Sequence, residues 1–196
     1  MLTLEDYPQG HQRLFYTKPL AEGAATSRPQ MPRSLRSERL LLRPFQGSDL
    51  DALARLNANP LFMRHMGPVM TRDDSWRQLA MLIGHWELRG YGLWAVEYQE
   101  RLIGRIGLYQ PEGWPDLEIG WALDPDFWGR GLATEGASTA LGQSTQVLGR
   151  NDPVSVIRPD NAASIRVAEK LGGRYERRWQ LRDQEVAIYR YHRRPD

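Results

Sequence analysis

The sequence predicts an α+β fold: one mixed α/β domain with a central, mostly antiparallel twisted sheet of six to seven strands and helices packed against it. Three observations carry this. The hydrophobic spacing switches repeatedly between the two-residue repeat of strands and the three-and-four repeat of helices. Two strand-like runs flank the tight turn Gln99-Glu100, which makes them antiparallel neighbours. A glycine-rich turn, Trp128-Gly129-Arg130-Gly131, joins a further strand-like run to a helical pattern.

The elements follow in order. Residues 1–33 hold Pro8, Pro19, Pro29 and Pro32 with Gly10 and Gly23 and no sustained period, so they read as an N-terminal extension, and residues 34–196 as the domain. Arg39 to Pro44 is a strand pattern, and Ser48 then caps a helix from Asp49 to about Asn57. A second helix starts after Thr71, whose spacing to Asp74 resembles a capping box. It carries Trp76, Leu79, Ala80, Ile83 and Trp86 at helical spacing and ends near Gly90. Leu93 to Tyr98 and Arg101 to Tyr109 form the hairpin, and Leu117 to Leu123 is a third neighbouring strand. After the glycine turn, a helix from Leu132 to about Val147 leads to a short strand, Val154 to Arg158. Asn161 to Gly172 is a short helix closed by glycine, and strands around Tyr175–Leu181 and Glu185–Tyr191 finish the sheet.

Composition removes several chemistries. The absence of cysteine excludes disulfides, thiolate metal sites and a cysteine nucleophile. His11, His65, His85 and His192 lack metal-ligand spacing, so no metal is expected. A net charge of +2 argues against a nucleic-acid partner, and no apolar run is long enough for a membrane span. The N-terminus lacks a signal-peptide layout, which leaves a soluble cytoplasmic protein, monomer or homodimer, as the expectation.

The glycine turn carries the first functional signal. Glycines let the backbone approach a bulky anion, successive N–H groups point at it, and the helix start adds the positive end of its dipole. The same pattern also occurs as an ordinary strand-to-helix turn. It lacks the Lys-Ser/Thr pair of a P-loop and the third glycine of a dinucleotide fingerprint.

A second motif lies downstream, Asn161-x-x-Ser164 followed by Glu169-Lys170-Leu171-Gly172. With Trp128-Gly129-Arg130-Gly131-Leu132-Ala133 and the element order, it resembles the GCN5-related N-acetyltransferase (GNAT) superfamily, over about residues 36–192. Arg39-Leu40-x-Leu42-Arg43, Glu118-Ile119-Gly120-Trp121 and Ala133-Thr134-Glu135 are similar to the RimJ/RimL-like branch, the ribosomal-protein alanine N-acetyltransferases. Three positions depart from the family pattern. Trp128 stands for Gln or Arg, Gly173 for Phe, and Ala168 where many relatives carry a tyrosine acid.

The resemblance implies acetyl-CoA as cofactor, held by Trp121, Ala122 and Leu123 of a splayed strand and by Trp128, Gly129, Arg130, Gly131, Leu132, Ala133 and Thr134 of the turn. Asn161, Ser164, Arg166 and Lys170 complete that set, while His85, Tyr91 and Trp94 are placed on the acceptor side. Acetyl transfer to an amine needs a base, because amines with pKa values of about 8 to 10 are protonated at neutral pH, and a proton for the leaving thiolate. Glu118 is the candidate base, or else a solvent-facing residue on a half-exposed strand; Ser164 is the candidate acid, or else bonds its own helix. Asn161 binds the pantetheine arm or serves only as an N-cap. Arg130, Arg166 and Lys170 also read as solvated charges, Trp94 as a core aromatic and His85 as a surface group. The acceptor is a primary amine, either a protein N-terminus or a small molecule such as an amino acid, polyamine or antibiotic; a non-catalytic acyl-CoA-binding module is the remaining alternative.

Overall fold

The computed structural model describes residues 31–192, so the expected extension lies outside the described residues apart from Met31–Arg33. Met31 is buried, and its N–H donates to the Gly90 carbonyl. The strands are β1 (Leu35–Arg36), β2 (Leu41–Arg43), β3 (Leu93–Tyr98), β4 (Arg101–Tyr109), β5 (Glu118–Leu123), β6 (Val154–Ile157), β7 (Arg174–Leu181) and β8 (Gln184–Arg190). The helices are α1 (Leu50–Asn57), α2 (Pro60–Met63), α3 (Arg72–Arg89), α4 (Leu132–Leu148) and α5 (Ala162–Lys170). All strands join one eight-stranded sheet in the order β1-β2-β3-β4-β5-β6-β8-β7. Every pairing is antiparallel except that of β5 with β6, where the α4 crossover forces a parallel approach.

The sheet has one strand more than the expected six to seven, because β1 is two residues long and leaves no periodic trace. Helix α2 was also unforeseen; Asn59 caps it by accepting from the Leu61 N–H, with Pro60 at its first position. Ser48 is not a cap. It lies inside a 3-10 turn, Gly47–Asp49, and α1 begins at Leu50. The polar anchor there is Asp49, which accepts from the Gln46 N–H at 2.7 Å and takes the Arg43 guanidinium bidentately, both bonds at 2.8 Å. Thr71 caps α3 through the Asp74 N–H, and Gly90 closes it in the left-handed conformation. Gln99 and Glu100 both take positive φ, which lets the β3–β4 hairpin reverse in two residues.

Alternation along the central strands divides the core into two layers. Ile106, Leu108 and Ile119 face α4, where Leu132, Ala137 and Leu141 meet them. Ala95 and Leu102 face α1–α3, against Phe45, Leu53, Phe62 and Leu79. Arg105, Tyr109 and Glu118 therefore lie on the α1–α3 side, and the glycine turn starts the helix on the other side. Any traffic between the two must pass through the sheet.

Candidate active site

The sheet has a gap. β5 and β6 pair only at Glu118 and Val154 and then part. Side chains take over the severed ladder: Ser155 Oγ donates to the Ile119 carbonyl at 2.7 Å and accepts from the Tyr191 hydroxyl at 2.9 Å. Beyond this point no strand among the described residues pairs with Trp121–Leu123 on that side, so the backbone groups of Trp121 and the Leu123 N–H face the opening, while the Leu123 carbonyl is taken by the Trp128 indole. A cavity of about 650 Å³ leads from it, walled by β4 and β5, by Ser155–Arg158 and by Asn161 and Ser164 at the start of α5.

Glu118 lines this cavity beside the gap. Its Oε2 accepts from the Trp114 indole N–H at 2.6 Å, and its Oε1 from the Val156 N–H at 3.4 Å. Burial pushes the carboxyl up to about 7, against the opposing pull of those two bonds. The side chain is half-buried and faces the cavity. A carboxyl poised near neutrality and open to a cavity is fitted to accept a proton at physiological pH.

Across the sheet the turn supplies unpaired donors. Gly129 and Gly131 both sit in the left-handed region, with φ of +74° and +77°. Among the described residues no backbone acceptor engages the N–H groups of Gly129, Arg130 or Gly131, and the first intrahelical bond of α4 runs from Glu135 to Gly131. The N–H groups of Leu132, Ala133 and Thr134 are thus also free, as at any helix start. A Cβ on Gly129 would meet nothing within 4 Å. Open space over consecutive donors at a helix N-terminus fits a pyrophosphate.

The turn is held from outside. Glu135 accepts from Ser37 Oγ at 2.6 Å, from the Arg39 N–H at 2.8 Å and from Arg39 Nε at 2.7 Å, and Arg39 Nη1 donates to the Arg130 carbonyl at 3.1 Å. Trp128 closes the other end: its indole N–H donates to the Leu123 carbonyl at 2.7 Å, tying the turn to the end of β5. The Arg130 guanidinium donates to the Asp126 carbonyl and lies over the Phe127 ring, folded back onto its own loop.

Asn161 caps α5, its Oδ1 accepting from the Ser164 N–H at 3.1 Å, and the residue lines the cavity. The Ser164 hydroxyl has no protein partner among the described residues and lines the cavity. Of the anticipated residues, Glu118, Trp121, Ala122, Asn161 and Ser164 meet in this cavity. Leu123 and the turn from Trp128 to Thr134 lie outside it, and Arg166 and Lys170 are exposed on α5.

The acceptor-side expectations fare differently. Trp94 is fully buried, with its indole N–H donated to the Arg33 carbonyl, and belongs to the core. His85 is buried too, neither a surface group nor a cavity residue. Its Nε2 accepts from the Gln110 N–H, so its Nδ1–H donates to the Tyr91 carbonyl, and burial holds it below its ordinary pKa. Tyr91 donates its hydroxyl to Gln110 and also stands behind the cavity wall. Sequence reasoning missed Arg105, Tyr109 and Trp114. The signal available was the arginine in mid-strand of the apolar run Leu102 to Leu108.

The structure also accounts for two family departures. A Cβ on Gly173 would come 2.8 Å from the Tyr191 ring, so Tyr191 fills the space that a phenylalanine would need. Ala168 is fully buried in the same cluster, which leaves no room for a tyrosine there.

The family model described as an acetyltransferase (GNAT) domain matches residues 39–174. The chain is 26% identical over 141 residues to the uncharacterised N-acetyltransferase YnaD of Bacillus subtilis strain 168, covering 71% of this chain and 82% of that one. Among solved structures, an acetyltransferase from Agrobacterium tumefaciens strain C58 superposes with a TM-score of 0.75 at 28% identity, over 94% of this chain and all of that one. RimL, a ribosomal L7/L12 α-N-protein acetyltransferase solved with coenzyme A, gives a TM-score of 0.69 at 21% identity over 83% of this chain and 97% of its own, a likeness of fold.

Proposed function

The chain belongs to the GNAT acetyltransferase family, and on that premise we propose that it acetylates a primary amine by direct transfer, with Glu118 as general base and Ser164 as general acid. Acetyl-CoA is the cosubstrate and supplies an activated thioester. The turn from Trp128 to Thr134 would hold its pyrophosphate through backbone N–H groups, and the free edge of β5 at Trp121–Leu123 would bind the chain that passes through the gap. Trp128 acts on the turn through Leu123, which leaves phosphate recognition to the backbone. No cysteine exists to carry an acyl group, which supports a single direct step.

The observation that carries this reading is the placement of Glu118 at the point where β5 and β6 separate, lining the cavity, with its carboxyl near neutrality. At pH 7 about half of such a carboxyl is ionised and able to take the proton of an incoming ammonium, directly or through water. Ser164 lines the same cavity from α5 with an unengaged hydroxyl, in position to return a proton to the thiolate. Protein N-termini and small amines both satisfy this chemistry. Release of CoA thiol, measured with peptides of varied N-termini beside a panel of small amines, tests the activity. Glu118→Gln should lower turnover at least about 100-fold while acetyl-CoA binding persists; unchanged turnover would remove Glu118 from the mechanism.

A further inference from the structure

Besides Glu118 the cavity is lined by Arg105, Arg158, Arg182 and Asp183, and of these only Arg105 is buried; the transfer chemistry does not use it. Arg105 is 8% exposed and lines the cavity from β4. Its contacts are a long hydrogen bond to Gln78 Oε1 at 3.4 Å, the Met66 sulfur at 3.2 Å and the Phe62 ring at 5.5 Å. Among the described residues no carboxylate lies within 4.0 Å of it, whereas the half-buried Arg43 and Arg190 each engage more than one. A guanidinium taken out of water without an anion is destabilising, and five planar donors in a fork match a carboxylate. The site lacks its negative partner.

The sheet register shows what fits between this arginine and the base. Arg105 pairs with Ala122 and Tyr109 with Glu118, so Arg105 and Glu118 stand at opposite ends of one strand pair on the same face. Midway between them Gly107 pairs with Gly120, and neither carries a side chain. A Cβ on Gly107 would strike the Gly92 carbonyl, so a side chain there is forbidden, and a Cβ on Gly120 would meet nothing nearer than Glu118 Oε1 at 3.5 Å. On the cavity floor Gly120, without a side chain, lies between a proton-accepting carboxyl at one end and a cation at the other. Tyr109 lies beside both and feels the charge of each.

Resting on the acetyltransferase reading, we propose that the acceptor is a small amine that also bears a carboxylate, which Arg105 binds while the amine is presented to Glu118. Two charges of opposite sign on one ligand would complete both ends of this floor. Polyamines and uncharged amines leave the arginine unpaired and are poor acceptors on this view.

The test separates recognition from catalysis. Binding is measured by thermal shift and calorimetry on the full chain with CoA present, using matched ligands: amino acids of increasing chain length, their carboxamide twins, their decarboxylated amines, and an N-terminally acidic peptide. The expected result is at least tenfold tighter binding of the carboxylate-bearing ligand than of its amide, with the same ratio in kcat/KM. Arg105→Gln and Arg105→Met should abolish that ratio by weakening the carboxylate-bearing ligand at least tenfold while acetyl-CoA binding persists, and Arg105→Lys should retain part of it. A merely structural arginine would instead lower the melting temperature on substitution and leave the ratio unchanged. Equal binding of acid and amide by the wild-type protein overturns the proposal without touching the transferase reading, which falls only if no amine is acetylated at all. Larger dependence on Arg105 for the peptide than for the amino acids would overturn the small-molecule assignment.

Discussion

Glu118 concentrates the chemistry in one side chain, and its environment fixes two measurable consequences. Burial raises its carboxyl from an ordinary 4.5 to about 7 in the folded protein, against the pull of Trp114 and Val156. The native state therefore binds the proton more tightly than the unfolded chain, so this residue's contribution to stability is complete below about pH 4.5 and is lost as pH rises through 7. A shift of that size corresponds to about 3 kcal/mol. Glu118→Gln keeps an acceptor for the Trp114 indole and carries no charge to bury. It should melt higher than the wild type at pH 8, with the difference vanishing near pH 4, and thermal denaturation across that range measures it. In kinetics the wild-type kcat/KM should show an ionisation with apparent pKa near 7 that the glutamine variant lacks, because only the carboxylate accepts a proton. Equal melting temperatures at pH 8 would show that the carboxyl is not held away from water.

At the scale of elements, the cofactor turn depends on both its own glycines and a clamp from the sheet edge. Gly131 has φ of +77°, a conformation that a β-branched residue adopts only under strain, and its missing side chain leaves the backbone donors open. Gly131→Val should fold, at a cost of about 1–2 kcal/mol, and should lose the acetyl-CoA thermal shift. Glu135 tests the clamp separately. Although burial pushes its carboxyl up, the donors of Ser37 and Arg39 hold it below the ordinary range, so it is ionised and charge-assisted at neutral pH. Glu135→Gln removes that charge and weakens the hold of β1–β2 on the first turn of α4. Weaker acetyl-CoA binding with unchanged KM for the amine is expected, because the clamp lies on the cofactor side of the sheet; a rise in amine KM alone would contradict this. Both motif pieces, Arg39 to Arg43 and Ala133 to Glu135, were legible in the sequence as separate words. Their meeting was not, since 96 residues separate Arg39 from Glu135.

Over the whole molecule, what was legible is what local physics determines. Hydrophobic period and glycine or proline punctuation place the helices α3, α4 and α5 and the hairpin strands, and capping residues such as Thr71 mark their ends. β1 and α2 escaped because two and four residues are too few to show a period. Arg105 and His85 escaped for a different reason, and Trp94 was legible as a core aromatic but not by its partner. Whether a strand face meets a cavity or a packed layer depends on helices far away in sequence: Phe62 and Gln78 bury Arg105, and Arg33 receives the Trp94 indole. The assembled sheet makes one further demand, since cofactor turn and base lie on opposite sides of it and the gap between β5 and β6 opens between them. Ligand bound there touches α4, β5 and α5 together, so it should stabilise the domain as a unit rather than one loop. At 100 times its dissociation constant, acetyl-CoA should add about 2.7 kcal/mol, which for a chain of this size raises the melting temperature by roughly 5–10 °C. Glu118→Gln should show the same shift and Gly131→Val none. An unmoved wild-type melting temperature at saturating acetyl-CoA would mean that the gap does not hold the thioester, and the role given to Glu118 would fall with it.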